Sequence, residues 1–341
     1  MNALLIGMGM VAQTHLLALR DNGAGVQLGG VVGRDPARTR AFADQAADLL
    51  GYPVDTHTDI DAGIATKPDV AILITPPNAR VEYAQVLSAA AIPTLMEKPV
   101  ERTLEQARDV VGLYHNLPLG IVFQHRTRAA SRTLKKRLES NDLGEIIHIE
   151  IRVPWWRDQA YYDEPGRGSY ARDGGGVMIS QAIHTLDLAL WLCGPVEELQ
   201  ARMRTSPLHR LEAEDIATAL LTFETGATGL ISATTCAYPG GAESIALITT
   251  KARALLEGDA LRIDWIDGET EVLGTDQSTG GGADPMAFTH GWHQSILEDF
   301  AQAIRVGCAP LATGQEALQV HAAIDAMTRA SASGRTEKVC A

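Results

Sequence analysis

Apolar residues follow two rhythms along this chain, and the change from one to the other divides it near residue 123. In the first part, short apolar runs at 3–6, 26–32, 69–74, 93–96 and 119–124 alternate with segments of helical spacing at 10–22, 36–50, 79–91 and 103–116. Buried strands alternating with amphipathic helices predict an α/β domain over 1–123, a Rossmann-type doubly wound parallel sheet. Pro36 in the first turn of one helix and Asn22-Gly23 at the end of another mark their limits.

Beyond residue 124 the pattern predicts a helix over 129–140, a long strand over 145–157, a loop over 158–176 and a helix over 177–192. From 196 to 273 apolar and polar residues alternate in twos, with hairpin turns at Glu224-Thr225-Gly226 and Asp267-Gly268. Helices over 291–306 and 314–332 follow. The expected second domain, 124–341, is α+β: an open, mostly antiparallel sheet with helices on one face. Its bare face predicts a homodimer or homotetramer built through this sheet.

Composition narrows the partners. The 341 residues suffice for two domains, and the net charge of −13 argues against nucleic acid or an anionic membrane surface. The chain has no apolar stretch of about 18 residues and opens without a basic, signal-like segment, so the expected location is the cytoplasm. Cys193, Cys236, Cys308 and Cys340 are scattered without zinc spacing, which predicts reduced thiols and no metal.

The first chemical signal is Gly7-Met8-Gly9-Met10-Val11-Ala12, between a strand and a helix. Gly7 permits the tight turn, Gly9 lets backbone approach a pyrophosphate, and Ala12 lets helix and strand pack closely. This predicts a nicotinamide dinucleotide. Its identity turns on Gly33-Arg34-Asp35. Gly33 stands where NAD sites usually carry an acid, and Arg34 with Arg38 would suit a 2′-phosphate, so the pattern leans to NADP. Asp35 is the rival, as a ribose carboxylate for NAD.

Lys98, in Glu97-Lys98-Pro99, follows a predicted strand at the edge where a nicotinamide lies. In the later helix, Ser180, His184 and Asp187 are spaced i, i+4, i+7 and share a face, with Gln181 beside them. Trp155, Trp156, Arg157, Tyr161, Tyr162, Arg167 and Asp173 offer stacking surfaces and hydrogen-bonding groups suited to a sugar. The same tryptophans could pack a domain interface instead, and the arginines could meet a diphosphate or simply water.

These segments, with Thr75-Pro76-Pro77-Asn78, Gly174-Gly175-Gly176-Val177, Glu214-Asp215 and Gly314, resemble the Gfo/Idh/MocA oxidoreductases in content and order. The resemblance implies pyridine-nucleotide chemistry on sugars, polyols or nucleotide sugars. It places Thr75–Asn78 and Glu97 with the glycine turn at the cofactor. It makes Lys98 and His184 the catalytic pair, and adds Arg126 to the substrate contacts. Ser180 stands where the family often has a catalytic aspartate. Arg80 stands where histidine is frequent, and reads as a helix surface residue. Three functions follow: a sugar or cyclitol dehydrogenase, a nucleotide-sugar dehydrogenase, or a cofactor-binding regulator without catalysis.

Overall fold

The computed structural model describes residues 1–274 and 286–341. It divides into two compact units, Met1–Gln124 with Thr289–Ala317, and His125–Phe288 with Leu318–Ala341.

In the first unit β1 (Asn2–Ile6), β2 (Gln27–Val32), β3 (Asp55–His57), β4 (Val70–Leu73), β5 (Thr94–Met96) and β6 (Leu119–Ile121) form a parallel sheet. Their order is β3-β2-β1-β4-β5-β6. The order reverses between β1 and β4, which puts the ligand crevice of such a sheet at their carboxyl ends. Helices α1 (Ala12–Asp21), α2 (Pro36–Leu50), α3 (Ile60–Ala65), α4 (Arg80–Ala89) and α5 (Leu104–Gly112) connect the strands. Asp35 caps α2 by accepting from the Arg38 backbone N–H at 3.0 Å. Asn22 ends α1 through its side chain: Nδ2 donates to the Leu19 carbonyl and Oδ1 accepts from the Val26 N–H.

The segment Thr289–Ala317, expected in the second domain, belongs to the first unit. The reason is its apolar face: Ile296, Leu297, Phe300 and Ala301 of the helix Gly291–Val306 join Leu5, Leu16, Leu19, Val31 and Ile72 in one core. Periodicity reveals such a face but not which sheet it covers.

The second unit holds α6 (Ala129–Glu139), β7 (Ile146–Pro154), the short α7 (Gln159–Tyr162) and α8 (Ile183–Cys193). Strands β8 (Val196–Arg204), β9 (Ile216–Phe223), β10 (Thr228–Thr234), β11 (Ser244–Thr249), β12 (Ala252–Glu257), β13 (Ala260–Trp265), β14 (Thr270–Gly274) and β15 (Glu337–Lys338) complete a nine-stranded sheet with β7. Its order is β14-β13-β12-β11-β7-β10-β9-β8-β15. Among the described residues only β7 and β10 pair in parallel. The turns at Glu224–Gly226 and Asp267–Gly268 join β9 to β10 and β13 to β14, with Gly226 and Gly268 at positive φ.

Candidate active site

The first unit carries the dinucleotide motif. Gly7 sits at φ +99°, and a Cβ there would lie 3.0 Å from the Thr75 backbone nitrogen. Only glycine lets the turn after β1 close against the end of β4. α1 begins at Ala12, two residues later than its apolar pattern suggests, because Gly9 through Val11 form the turn itself. Val11 precedes the helix without a side-chain cap, and its first turn holds no acidic residue. Its leading N–H groups are therefore suited to an anion, and this turn fits a pyrophosphate. Met10 is exposed, and so are Pro76 and Asn78, whereas Thr75 and Pro77 are buried.

At the end of β2, Gly33 is buried, and any side chain there would collide with Met8 and Thr39. An acid in its place would not fit without repacking. Arg34 and Asp35 are exposed. Arg38 turns back to the glycine turn, where its Nη2 donates to the Met8 carbonyl at 2.7 Å. That bond would compete with a phosphate for the same guanidinium.

The loop after β5 is held from within the unit. Glu97, expected beside the cofactor, is 4% exposed, and its carboxylate is hydrogen-bonded within the protein. Glu97 Oε1 lies 2.9 Å from His15 Nε2 and 3.5 Å from His293 Nε2, and Oε2 accepts from the Lys98 backbone N–H at 3.2 Å. Burial acts to raise the Glu97 carboxyl, but the two histidine hydrogen bonds outweigh it and hold it well below the usual range. Burial lowers His293. The Lys98 side chain is half-buried.

Arg80, read from sequence as a surface residue, is 3% exposed. It opens α4 and donates to the carbonyls of Thr75, Glu97, Lys98 and Pro99. Burial pulls its guanidinium down to about 10, against the pull of Glu97 and Glu101.

In the second unit, Gly176 allows the loop before α8 to meet Glu214: a Cβ would lie 1.7 Å from the Glu214 carbonyl oxygen. Glu214 accepts from the Gly176 and Met178 N–H groups at 3.0 and 3.1 Å. Its carboxylate thus caps the start of the helix, although burial raises its pKa. That start is a π turn, Met178–Ala182. The regular i, i+4 register from Ser180 to His184 therefore does not hold across it.

His184 is 7% exposed and stacks on His125, with ring centroids 5.0 Å apart. His125 lies 3.9 Å from Glu243, which also accepts from Arg128 at 2.6 Å and from the Trp155 indole at 3.2 Å. Sequence reasoning passed over His125, Arg128 and Glu243. The one available signal was the polar run Gln124–Arg128 directly after a buried strand.

Asp187 is fully buried and takes a bidentate Arg126, Nε to Oδ2 at 2.9 Å and Nη2 to Oδ1 at 2.6 Å. Arg126 was expected at the substrate; its fork is committed to Asp187 because a buried carboxylate needs a counter-charge. Arg157 is likewise buried, donates to the Trp156 carbonyl at 2.6 Å and covers the rings of Trp155 and Tyr161. Asp173 accepts from the Gly168 N–H at 2.9 Å and organises the loop. Three expected residues do come together: Arg167 lies 4.3 Å over the Tyr161 ring, and the Tyr161 hydroxyl accepts from Gln181 at 3.2 Å. Trp156 is partly exposed and packs edge-on against Tyr238 at 5.3 Å.

Two clusters of potential metal ligands occur among the described residues, His15–Glu97–His293 and His209–Asp215–Cys236. The first gathers residues far apart in sequence, so spacing could not reveal it. The second is tied by hydrogen bonds: His209 Nδ1 lies 2.8 Å from Asp215, and Ser206 donates to the same carboxylate at 2.7 Å.

Comparison with known proteins agrees with this anatomy. A model of the oxidoreductase family with an NAD-binding Rossmann fold matches residues 1–118, and one of the GFO/IDH/MocA C-terminal domain matches 131–255. The D-apiose dehydrogenase of Rhizobium rhizogenes is 26% identical, over 97% of this chain and 95% of its own. The rhizopine catabolism protein MocA of Rhizobium meliloti is 27% identical, over 95% and 93%. Among solved structures, the WlbA dehydrogenase of Bordetella pertussis, in complex with NADH and UDP-GlcNAcA, is 27% identical, with a TM-score of 0.82 over 100% of this chain and 99% of that one. With both of its units matched by models of the same family, the chain belongs to the Gfo/Idh/MocA oxidoreductases.

Proposed function

We propose that this oxidoreductase acts as an NAD-dependent dehydrogenase of a secondary hydroxyl on a free sugar or cyclitol, working reversibly on the corresponding ketone. The observation that carries the reading is the buried imidazole of His184, stacked on His125 in a unit that also groups Tyr161, Gln181 and Arg167. When bound, the nicotinamide supplies the hydride acceptor. His184 takes the hydroxyl proton as general base, the role imidazole fills best near neutral pH. Lys98 orients the oxygen and stabilises charge developing on it. Ser180, within the π turn, serves as a polar neighbour of this group.

NAD replaces the lean to NADP. Arg38 is engaged by the Met8 carbonyl, and exposed Asp35 offers a carboxylate for the ribose hydroxyls. The related WlbA structures hold NADH. Comparing kcat/KM with the two cofactors tests this, with NAD expected to win by about tenfold or more; a preference for NADP defeats it.

The WlbA likeness favours a nucleotide sugar as a second reading. Against it, Arg157 already serves the Trp156 carbonyl, and Arg167 lies over the Tyr161 ring and 3.3 Å from Glu164, which weakens the case for a diphosphate clamp. A cofactor-reduction screen across cyclitols, aldoses, anhydrosugars and UDP-sugars separates the readings. Turnover with UDP-sugars alone overturns the first.

The outer face of the nine-stranded sheet supports self-association as a homodimer or homotetramer. Leu220 is 63% exposed and pairs across strands with Leu230, amid Gln200, Arg202, Thr218 and Ser232. Leu220→Asp is expected to lower the mass seen by light scattering toward a single chain. A wild-type protein that is already monomeric would remove this proposal. No helix among the described residues is long and apolar enough to cross a membrane, and all four cysteines are free, which supports a reducing compartment such as the cytoplasm.

A further inference from the structure

A guanidinium this deeply buried needs a reason, because stripping water from a charge is costly even after relaxation. Arg80 is 3% exposed, and the partners it donates to are backbone carbonyls. They come from two loops, Thr75 after β4 and Glu97, Lys98 and Pro99 after β5. Three consecutive carbonyls around Lys98 thus converge on one planar group. A guanidinium can do this because it carries five N–H donors in a rigid fork; an ammonium has three, on a flexible stem.

The other side of Lys98 is gripped as well. Its backbone N–H donates to Glu97 Oε2 at 3.2 Å, and Glu97 Oε1 is fixed by His15 at 2.9 Å and lies 3.5 Å from His293. His15 comes from α1, and His293 from the helix Gly291–Val306. The peptide groups on either side of Lys98 are therefore held by buried charges of opposite sign, Arg80 from α4 and Glu97 in the loop itself, the latter fixed by His15 of α1. Lys98 itself is only half-buried. A merely structural ion pair would bring Arg80 and Glu97 to each other; here Arg80 donates to backbone carbonyls, and Glu97 divides between the Lys98 N–H and His15.

We propose that Arg80 is a positioning residue for Lys98: by clamping the carbonyls of residues 97–99 to the Thr75 loop it fixes where the Lys98 amine stands, with Glu97, His15 and His293 as the opposing jaw. The inference rests on the role given to Lys98 above. It makes Arg80 a working replacement for the histidine frequent at this place in the family, not a neutral surface change.

The test is a double-mutant cycle on the full-length protein, using the substrate found in the screen. Arg80→Lys and Arg80→Ala are made in the wild type and in Lys98→Met, with melting temperature and NADH affinity measured on every variant. Arg80→Lys, which keeps the charge but not the fork, serves if Arg80→Ala fails to fold. In the wild type, kcat is expected to fall by about 10- to 100-fold, the scale of a misplaced catalytic group, with NADH affinity little changed. In Lys98→Met the same Arg80 change is expected to cost nothing further. An equal loss in both backgrounds overturns the proposal, because Arg80 then acts through general stability. If Lys98→Met itself turns over normally, it is the catalytic reading of Lys98 that fails. A readout independent of substrate is competitive acetylation followed by mass spectrometry. Arg80→Lys should change the labelling rate of Lys98 and leave Lys135 unchanged; an unaltered Lys98 rate refutes the clamp.

Discussion

His184→Ala is expected to lower kcat by about 10²- to 10⁴-fold, the range that a positioned acid–base group contributes. NADH affinity should hold, because the glycine turn that suits the dinucleotide lies in the other unit, at the ends of β1 and β4. Folding should suffer less than catalysis. His184 is nearly buried and stacked on His125, so truncation costs packing, whereas truncating Asp187 breaks a buried bidentate ion pair. Steady-state turnover beside a NADH titration separates these effects. If kcat falls no more than threefold, the proton is taken elsewhere, and His125 becomes the next imidazole to test.

Asp187→Ala is expected to be the most destabilising single change considered, at about 3–5 kcal/mol, because it takes the carboxylate counter-charge away from a buried guanidinium. Arg126 is 2% exposed and Asp187 fully buried. With roughly 2–4 °C lost per kcal/mol in domains of this size, the melting temperature should drop by about 6–20 °C. The diagnostic variant is the pair Arg126→Met with Asp187→Leu. Replacing both charges with apolar groups removes the desolvation cost along with the attraction, so the double variant should melt well above Asp187→Ala alone. If the double variant is no better than the single one, the fork is held by more than its counter-charge. Activity of the double variant also reports whether Arg126 has any duty toward substrate beyond holding the α8 carboxylate.

The parts legible from sequence were those written in local periodicity. The alternation of apolar runs and helical segments located β1, β2, β4, β5 and β6 and their helices, and Gly226 and Gly268 located two hairpins. β3 and α3 escaped notice because they are three and six residues long with little apolar signal. The π turn at Met178–Ala182 leaves no compositional trace, and the i, i+4 argument for Ser180 assumed an α-helix throughout. The candidate site was half legible. Gly7, Lys98 and His184 announced themselves by motif. The fates of Arg80, Arg126 and Arg157 depended on which carbonyl or carboxylate the fold brought to each guanidinium, and those acceptors lie as many as 61 positions away in the chain. An arginine in a sequence shows its charge and not its burial.

The first unit is discontinuous, and this sets an order of events during synthesis. When residue 124 leaves the ribosome, the six parallel strands are complete, but Ile296, Leu297 and Phe300, which seal their core, have not been made. The intervening 164 residues of the second unit are an insertion that can collapse on its own meander while the first waits open. Amino-terminal domains usually finish first; here the amino-terminal unit finishes late. A nascent chain stalled before residue 289 would display an uncovered apolar face, the kind of surface a holding chaperone binds.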